Sequence, residues 1–286
     1  NIVFFLIDDL GWADVGCNGS TFYETPNVDR LAAQGMRFTD AYAANPVCTP
    51  TRASIMTGKY PSRINMTNHS GIAGPKGPKY RLNAPQPIGS LPLDDVTIAE
   101  ALHDAGYQTA HIGKWHLQNH NQKDKASFPE AHGFDVNIGG CHMGSPGKGG
   151  YFSPWTIEPL IDADVPADMY LTDYLTDRAV DLIDHVGAQP FFLNLWYYSV
   201  HTPIQAKADR TARYEAKARQ FGLDRFETFI EGEYFPCEHK KGQRVRRRLL
   251  HSDPVYAAMI DSLDENIGRV LDALERNGKA EDTVVV

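Results

Sequence analysis

The sequence predicts an α/β fold with a mostly parallel central sheet flanked by helices, and three observations carry that expectation. Apolar runs without alternation, such as Ile2 to Ile7 and Phe191 to Tyr198, read as strands covered on both faces. Helical stripes alternate with these runs along the chain, as βαβ units require. Polar, titratable residues stand where each run stops: Asp8-Asp9, Lys114-Trp115-His116 and Ser199-Val200-His201. Open parallel sheets hold their ligands beyond the carboxyl ends of the strands.

Taken in order, Ile2 to Ile7 is the first strand. Asp8-Asp9 follows, which alone reads as a solvated turn before Gly11, or as hard oxygen ligands for Ca²⁺ or Mg²⁺. Thr25 as cap and Pro26 at the first position open a helix with Val28, Leu31 and Ala32 on one face and Gly35 as its stop. Met36 to Ala44 alternates only in part and leads to a turn around Cys48. Residues 61 to 95 are rich in Pro, Gly and Asn and read as a long surface loop. Thr97-Ile98-Ala99-Glu100 is a capping box for a helix ended by Gly106, and Tyr107 to Ile112 is a short strand. Pro129 to Pro154 repeats glycine without phosphate-loop spacing, so no nucleotide site is indicated and a loop walling a pocket is expected. Its aromatics Phe134, Tyr151, Phe152 and Trp155 suit sugar stacking and local packing equally. Tyr170 to Val186 is a helix with a continuous apolar stripe, and Phe191 to Tyr198 is the next buried strand. Residues 204 to 253 are charged and helix-prone, with a basic cluster from His239 to Arg248 that reads as a solvated loop or as a rail for a sulfated glycan. Asp253-Pro254 starts a long helix ended by Gly278, and Thr283 to Val286 begins a strand.

With 286 residues, 42% of them hydrophobic, the chain can bury a large core, and one large domain is expected. A formal net charge of -8 excludes a general nucleic-acid binder, which needs a basic surface. The four cysteines, Cys17, Cys48, Cys141 and Cys237, form no CxxC pair and are too few for a disulfide framework. No apolar run approaches the ~18 residues that span a bilayer. No basic and apolar leader precedes Asn1, so a mature or trimmed protein without a membrane span is expected.

One stretch concentrates chemistry: Asn45-Pro46-Val47-Cys48-Thr49-Pro50-Thr51-Arg52. Pro50 favours a first helical turn, and Arg52 to Thr57 continues as a short helix stopped by Gly58. That puts Cys48 at a helix N-terminus beside a guanidinium, a setting that favours anions. A lone cysteine by itself reads as a small buried hydrophobe. However, Cys48-Thr49-Pro50-Thr51-Arg52 with Ala53-Ser54-Ile55-Met56-Thr57-Gly58 resembles the Cys-x-Pro-Ser/Thr-Arg signature of the type I, formylglycine-dependent sulfatases of the alkaline-phosphatase superfamily. Gly106-Tyr107-Gln108-Thr109-Ala110-His111-Ile112-Gly113-Lys114-Trp115-His116 is similar to the second signature of that family, and the helix after Thr25 resembles its Pro-Asn-Val/Leu-Asp helix.

The resemblance implies an alkaline-phosphatase-like fold and a sulfuric ester hydrolase, arylsulfatase-like, acting on a sulfated small molecule or glycan. It implies that Cys48 is converted to formylglycine by a maturation enzyme and that Asp8, Asp9 and the modified Cys48 ligate Ca²⁺, with Mg²⁺ as the alternative. By the same resemblance Arg52 holds the hydrated aldehyde, Lys114 and His116 bind sulfate oxygens, and His201 contacts the ester oxygen as an acid for the leaving alcohol. The family's further Asp-Asn pair and sulfate-binding lysine are expected beyond Val286. Residues 1–286 are accordingly expected to be the N-terminal portion of one catalytic domain, without its final strands and C-terminal subdomain. A periplasmic, extracellular or lysosomal location is implied as well. Two rivals remain open: a phosphate or phosphonate monoester hydrolase on the same scaffold, and an inactive glycan-binding relic in which Cys48 stays a thiol.

Overall fold

The computed structural model describes residues 1–69, 72–119, 127–237 and 240–286. In chain order its main elements are β1 (Ile2–Ile7), α1 (Pro26–Gln34), α2 (Cys48–Thr57), α3 (Ile98–Asp104), β2 (Gln108–Gly113), β3 (Val136–Ile138), α4 (Leu171–His185), β4 (Phe191–Tyr197), α5 (Ala208–Gln220), β5 (Phe229–Tyr234), β6 (Arg244–Arg248), α6 (Pro254–Arg276) and β7 (Val284–Val285). The chain divides into two compact units, one of Asn1–Asp9, Arg37–Pro203 and Asn266–Val286, the other of Leu10–Met36 and Ile204–Glu265.

The larger unit is an α/β layer structure on a five-stranded sheet ordered β3-β2-β4-β1-β7, with every neighbouring pair parallel. Strand β4 is buried at all seven positions, as an unbroken apolar run in the middle of such a sheet must be. Its alternation sorts the two faces. Phe192 and Trp196 join a cluster with Ala53 and Met56 of α2, Ala99 of α3, Trp115 and Phe134. Tyr197 points the other way, where its hydroxyl lies 2.7 Å from Thr176 Oγ1 of α4. On that side the end of α6 runs beside α4 and is pinned by Asn266 donating to Asp173 (2.8 Å) and Arg276 to Asp184 (3.0 Å). The expected capping box of α3 is formed: Glu100 N–H donates to Thr97 Oγ1 at 3.1 Å and Thr97 N–H to the Glu100 carboxylate at 2.7 Å.

Several local readings change. The glycine-rich stretch contains a strand, β3, which pairs with β2 through Ala110, His111 and Ile112. Three residues are too few for an alternation to show. Phe134, Tyr151 and Trp155 from that stretch are buried, so they act as packing anchors and offer no free face to a sugar. Met36 to Ala44 forms no strand, and Met36, Phe38 and Tyr42 are exposed.

In the smaller unit α1 starts at Pro26 and stops at Gly35 as expected, and Thr25 holds the N-cap position, its carbonyl accepting from Asp29 N–H at 2.8 Å, but its side chain makes no capping hydrogen bond. The Thr25 hydroxyl donates to Asp29 at 3.1 Å and accepts from Gly16 N–H at 2.8 Å. The first α1 donors, Asn27 and Val28 N–H, go instead to the Asp264 carboxylate of α6 at 3.1 and 2.8 Å. A carboxylate aimed at a helix N-terminus satisfies orphan donors and the helix dipole together. The stretch read as helix-prone and charged holds one helix, α5, and then a two-stranded antiparallel ribbon of β5 and β6. The basic cluster is therefore a strand from Arg244 to Arg248 and not a loop, while its first residue, His239, lies outside the described residues.

Candidate active site

All seven residues singled out from the sequence belong to the larger unit, and they meet at the carboxyl ends of β1, β2 and β4. Helix α2 begins at Cys48 and ends at Gly58, whose φ of 66° suits a residue without a side chain and lets its N–H reach Ser54 O. Cys48 and Arg52 are four residues apart and so share one helix face. Cys48 is half-buried, while Arg52 is only 2% exposed.

The Arg52 guanidinium ties three strand ends together. Nη2 donates to Asp8 Oδ2 at 2.6 Å, Nη1 donates to the Lys114 carbonyl at 2.5 Å, and the group lies 4.9 Å over the Trp196 ring. Lys114, fully buried, brings Nζ to 2.5 Å from the same Asp8 oxygen. Burial alone would push Asp8 up, but Arg52 and Lys114 more than reverse that and hold the carboxyl below its usual range. Asp8 therefore stays ionised at neutral pH.

Lys114 reaches this place because β2 and β4 approach very closely at their ends. Gly113 has φ 111°, and a Cβ there would lie 2.0 Å from the Trp196 carbonyl oxygen that accepts Lys114 N–H at 2.7 Å. Gly113→Ala is expected to lower stability by about 3 kcal/mol or more, from backbone strain and a forced strand separation. Urea unfolding checks this, and an unshifted midpoint would mean that the strand ends tolerate a side chain. His111 supports the same turn from behind: Nε2–H donates to Gly113 O at 3.2 Å while Nδ1 accepts from Asn194 at 3.0 Å. Burial, and then Arg52, push this imidazole down to about 3, so it serves as a neutral strut. Sequence reading takes His111 and Asn194 only as strand residues and gives Gly113, just past the strand, no role.

His116 turns towards Cys48, with Nδ1 at 3.2 Å from Sγ. Its backbone is fixed by N–H donation to Cys141 O (2.9 Å) and by Thr49 Oγ1 donating to its carbonyl (2.8 Å). Burial first, then Lys114 and Arg52, drive the ring down to about 2, so the imidazole is neutral. The glycine-rich stretch does wall this group: a Cβ on Gly144 would sit 2.5 Å from the His116 ring. A second imidazole, His69, stacks near it at 6.2 Å between centroids. Nothing in the sequence around His69 signals that position.

Asp8 also sets His201. Asp8 N–H donates to Ser199 O (3.1 Å) and Val200 N–H donates back to Asp8 O (2.8 Å), while the Tyr151 hydroxyl bridges the Tyr198 and His201 carbonyls at 2.7 Å each. His201 Nδ1 lies 2.7 Å from Thr202 O, so it must be the donor. Nε2 is left facing Asp9, 3.7 Å from its Oδ2. Among the described residues Asp8, Asp9 and His201 each offer a ligand atom within 4.8 Å of the others, and Cys48 stands outside that group against His116. Two carboxylates fit a hard divalent cation. With Arg52 and Lys114 already balancing Asp8, such an ion would leave the site positive and suited to an anionic ester beside the α2 N-terminus.

Comparison with known proteins bears on this arrangement. The family model described as Sulfatase matches residues 1–286. This chain belongs to the sulfatase family. Among curated sulfatases, N-acetylgalactosamine-6-sulfatase of Mus musculus is 31% identical over 300 residues, covering 100% of this chain and 49% of its own length. Arylsulfatase G of Canis lupus familiaris is 32% identical over 285 residues, covering 98% and 48%. The chain thus spans about half the length of the curated sulfatases it matches. Of solved structures, Ps i-CgsB superposes with a TM-score of 0.69 at 29% identity, over 100% of this chain and 57% of that one. Among the described residues no helix of this sulfatase-family chain is long and apolar enough to cross a membrane.

Proposed function

We propose that this chain carries the nucleophile-bearing part of a sulfuric ester hydrolase that acts on a sulfated carbohydrate. The observation that supports it most is the convergence of Arg52, one helical turn after Cys48, and Lys114 on Asp8. Formylglycine at position 48, made by a maturation enzyme, and a divalent cation, Ca²⁺ or Mg²⁺, would together supply a hydrated aldehyde acidic enough to attack sulfur.

The residues of the chain do the rest. Asp8 and Asp9 would hold the cation at the end of β1. Arg52 and Lys114 stabilise negative charge that grows on the oxygens around sulfur, where a preformed, desolvated cation contributes most. His116, neutral, orients the group at position 48 by a hydrogen bond through Nδ1, the atom that faces it. His201 keeps Nδ1–H on the Thr202 carbonyl, so a proton held on Nε2 is the one available to the leaving alcohol.

Carbohydrate as the substrate class is supported by two relatives, although a steryl-sulfatase of Homo sapiens, 41% identical over 162 residues, is similar too. One is named for N-acetylgalactosamine-6-sulfate, and Ps i-CgsB has been solved in complex with k-i-k-neocarrahexaose. A compartment outside the cytosol, periplasmic, extracellular or lysosomal, goes with this reading. Matched aryl sulfate and aryl phosphate esters test it: kcat/KM for the sulfate should exceed that for the phosphate by about 10²-fold or more, roughly 3 kcal/mol of transition-state discrimination. Faster turnover of the phosphate would give the site to the phosphate or phosphonate ester reading.

A further inference from the structure

The ribbon of β5 and β6 presents a ladder of cations that the ester-hydrolysing site does not use. Arg244, Arg246 and Arg248 alternate along β6, so they fall on one face about 6.6 Å apart. Aromatic rings on the neighbouring strand hold them in place: Arg246 and Arg248 both lie 4.4 Å over the Phe229 ring, and Arg244 lies 4.6 Å over Tyr234. Guanidinium groups stacked this way lose rotamer freedom; Arg244 Nη1 also donates to Gly232 O at 3.1 Å and Arg248 Nη1 to Ser252 Oγ at 2.7 Å, which leaves their other N–H groups for an anion.

Nearby carboxylates do not cancel the ladder. Glu233 is taken by Arg247, 2.6 Å away. Glu231 and Asp253 form loose ion pairs with Arg244 and Arg248 at 3.9 and 3.7 Å, exposed pairs of the kind that offset a charge only in part. Lys240 and Lys241 lie exposed between β5 and β6 in sequence, adding to the positive charge. All this sits on a chain of net charge -8.

We infer that the β5–β6 ribbon binds an extended sulfated glycan along its arginine face. The choice of a sulfated glycan rests on the reading of the chain as a sulfate-ester hydrolase. A thin polyanion can lie along one strand and meet all three arginines, whereas a duplex nucleic acid or an anionic bilayer spreads its charge over a surface much wider than one strand. Bidentate guanidinium edges suit sulfate as they suit phosphate and carboxylate, and the ring-stacked geometry spaces them for successive anionic groups.

Heparin serves as the probe, titrated against the intact protein and against R244E/R246E/R248E, with circular dichroism to confirm the fold. The triple variant should bind at least 10-fold more weakly, and its plot of log affinity against log salt should flatten by about 2, as expected when three cations no longer displace counterions. Arg246→Gln alone, a neutral change at an exposed position, should weaken binding in the same direction. Equal heparin affinity in both variants overturns the inference, as does duplex DNA binding as tightly as heparin at equal salt. Hydrolysis of a small aryl sulfate, measured in parallel, should be unchanged in both variants. Arginine-dependent heparin binding without any aryl sulfate turnover would overturn the hydrolase reading and leave the ribbon site standing.

Discussion

Cys48→Ala in the intact protein is expected to remove ester hydrolysis, a fall on the order of 10⁶-fold as for loss of a covalent nucleophile elsewhere, with little change in stability. Cys48 is half-buried at the start of α2 and its sulfur touches only the His116 ring among the hydrogen bonds and contacts described. Truncation there leaves no enclosed cavity, so the unfolding midpoint should move by less than about 1 kcal/mol. Cys48→Ser should be nearly as inactive. A plain hydroxyl can attack once but has no way to expel the sulfate it has taken, whereas a hydrated aldehyde can collapse. The mass of the peptide that holds residue 48 checks the chemistry independently, because conversion of the thiol to the aldehyde changes it. Wild-type turnover by Cys48→Ala would sink the assignment of the nucleophile, and turnover by a protein whose residue 48 is wholly unconverted would sink the aldehyde.

The second large effect is expected at Arg52, where catalysis and stability should fall together. Arg52→Ala removes the partner of a buried carboxylate, empties the space over Trp196 and strips a donor from the Lys114 carbonyl. Breaking a buried pair from one side costs about 3–5 kcal/mol, because the remaining charge is left without compensation. Arg52→Lys separates the two roles. It keeps a positive charge near Asp8 and should recover part of the stability. One ammonium group cannot span Asp8 Oδ2 and the Lys114 carbonyl as the planar fork does, so the rate should stay about 10²–10³-fold down. Urea unfolding and kcat/KM on an aryl sulfate read the two effects. Wild-type rate in Arg52→Lys would show that charge alone suffices, and an unshifted midpoint in Arg52→Ala would show that the pair contributes nothing to folding.

The site was legible to the extent that its residues sit at punctuation marks of the chain. Asp8-Asp9, Lys114-His116 and His201 each follow an apolar run, and the parallel-sheet pattern brings such positions to one edge. Cys48 and Arg52 were legible because Cys48-Thr49-Pro50-Thr51-Arg52 resembles the sulfatase signature and opens a helix stopped by Gly58, on which they fall on one face. Burial order was not legible. Lys114 reads as a solvated charge by residue type, yet it is fully buried because Gly113 permits a close approach of β2 to β4 that no side chain would allow. His69, His111 and Asn194 gave no local signal, since their roles depend on what crosses above or beside them.

The sequence by itself determined the helices of the larger unit and its strands other than β3, the parallel order implied by their alternation, and the short list of residues able to do ester chemistry, because hydrophobic period, proline and glycine act over a few residues. Only the tertiary structure decided which partner each charge takes. The Asp264 carboxylate takes the first α1 N–H groups, which the Thr25 side chain leaves unbound, Arg52 and Lys114 converge on one oxygen of Asp8, and a basic run becomes a strand stacked on Phe229 and Tyr234. Pairings of that kind are made across long stretches of chain. Their energies depend on desolvation and distance, which local composition does not encode.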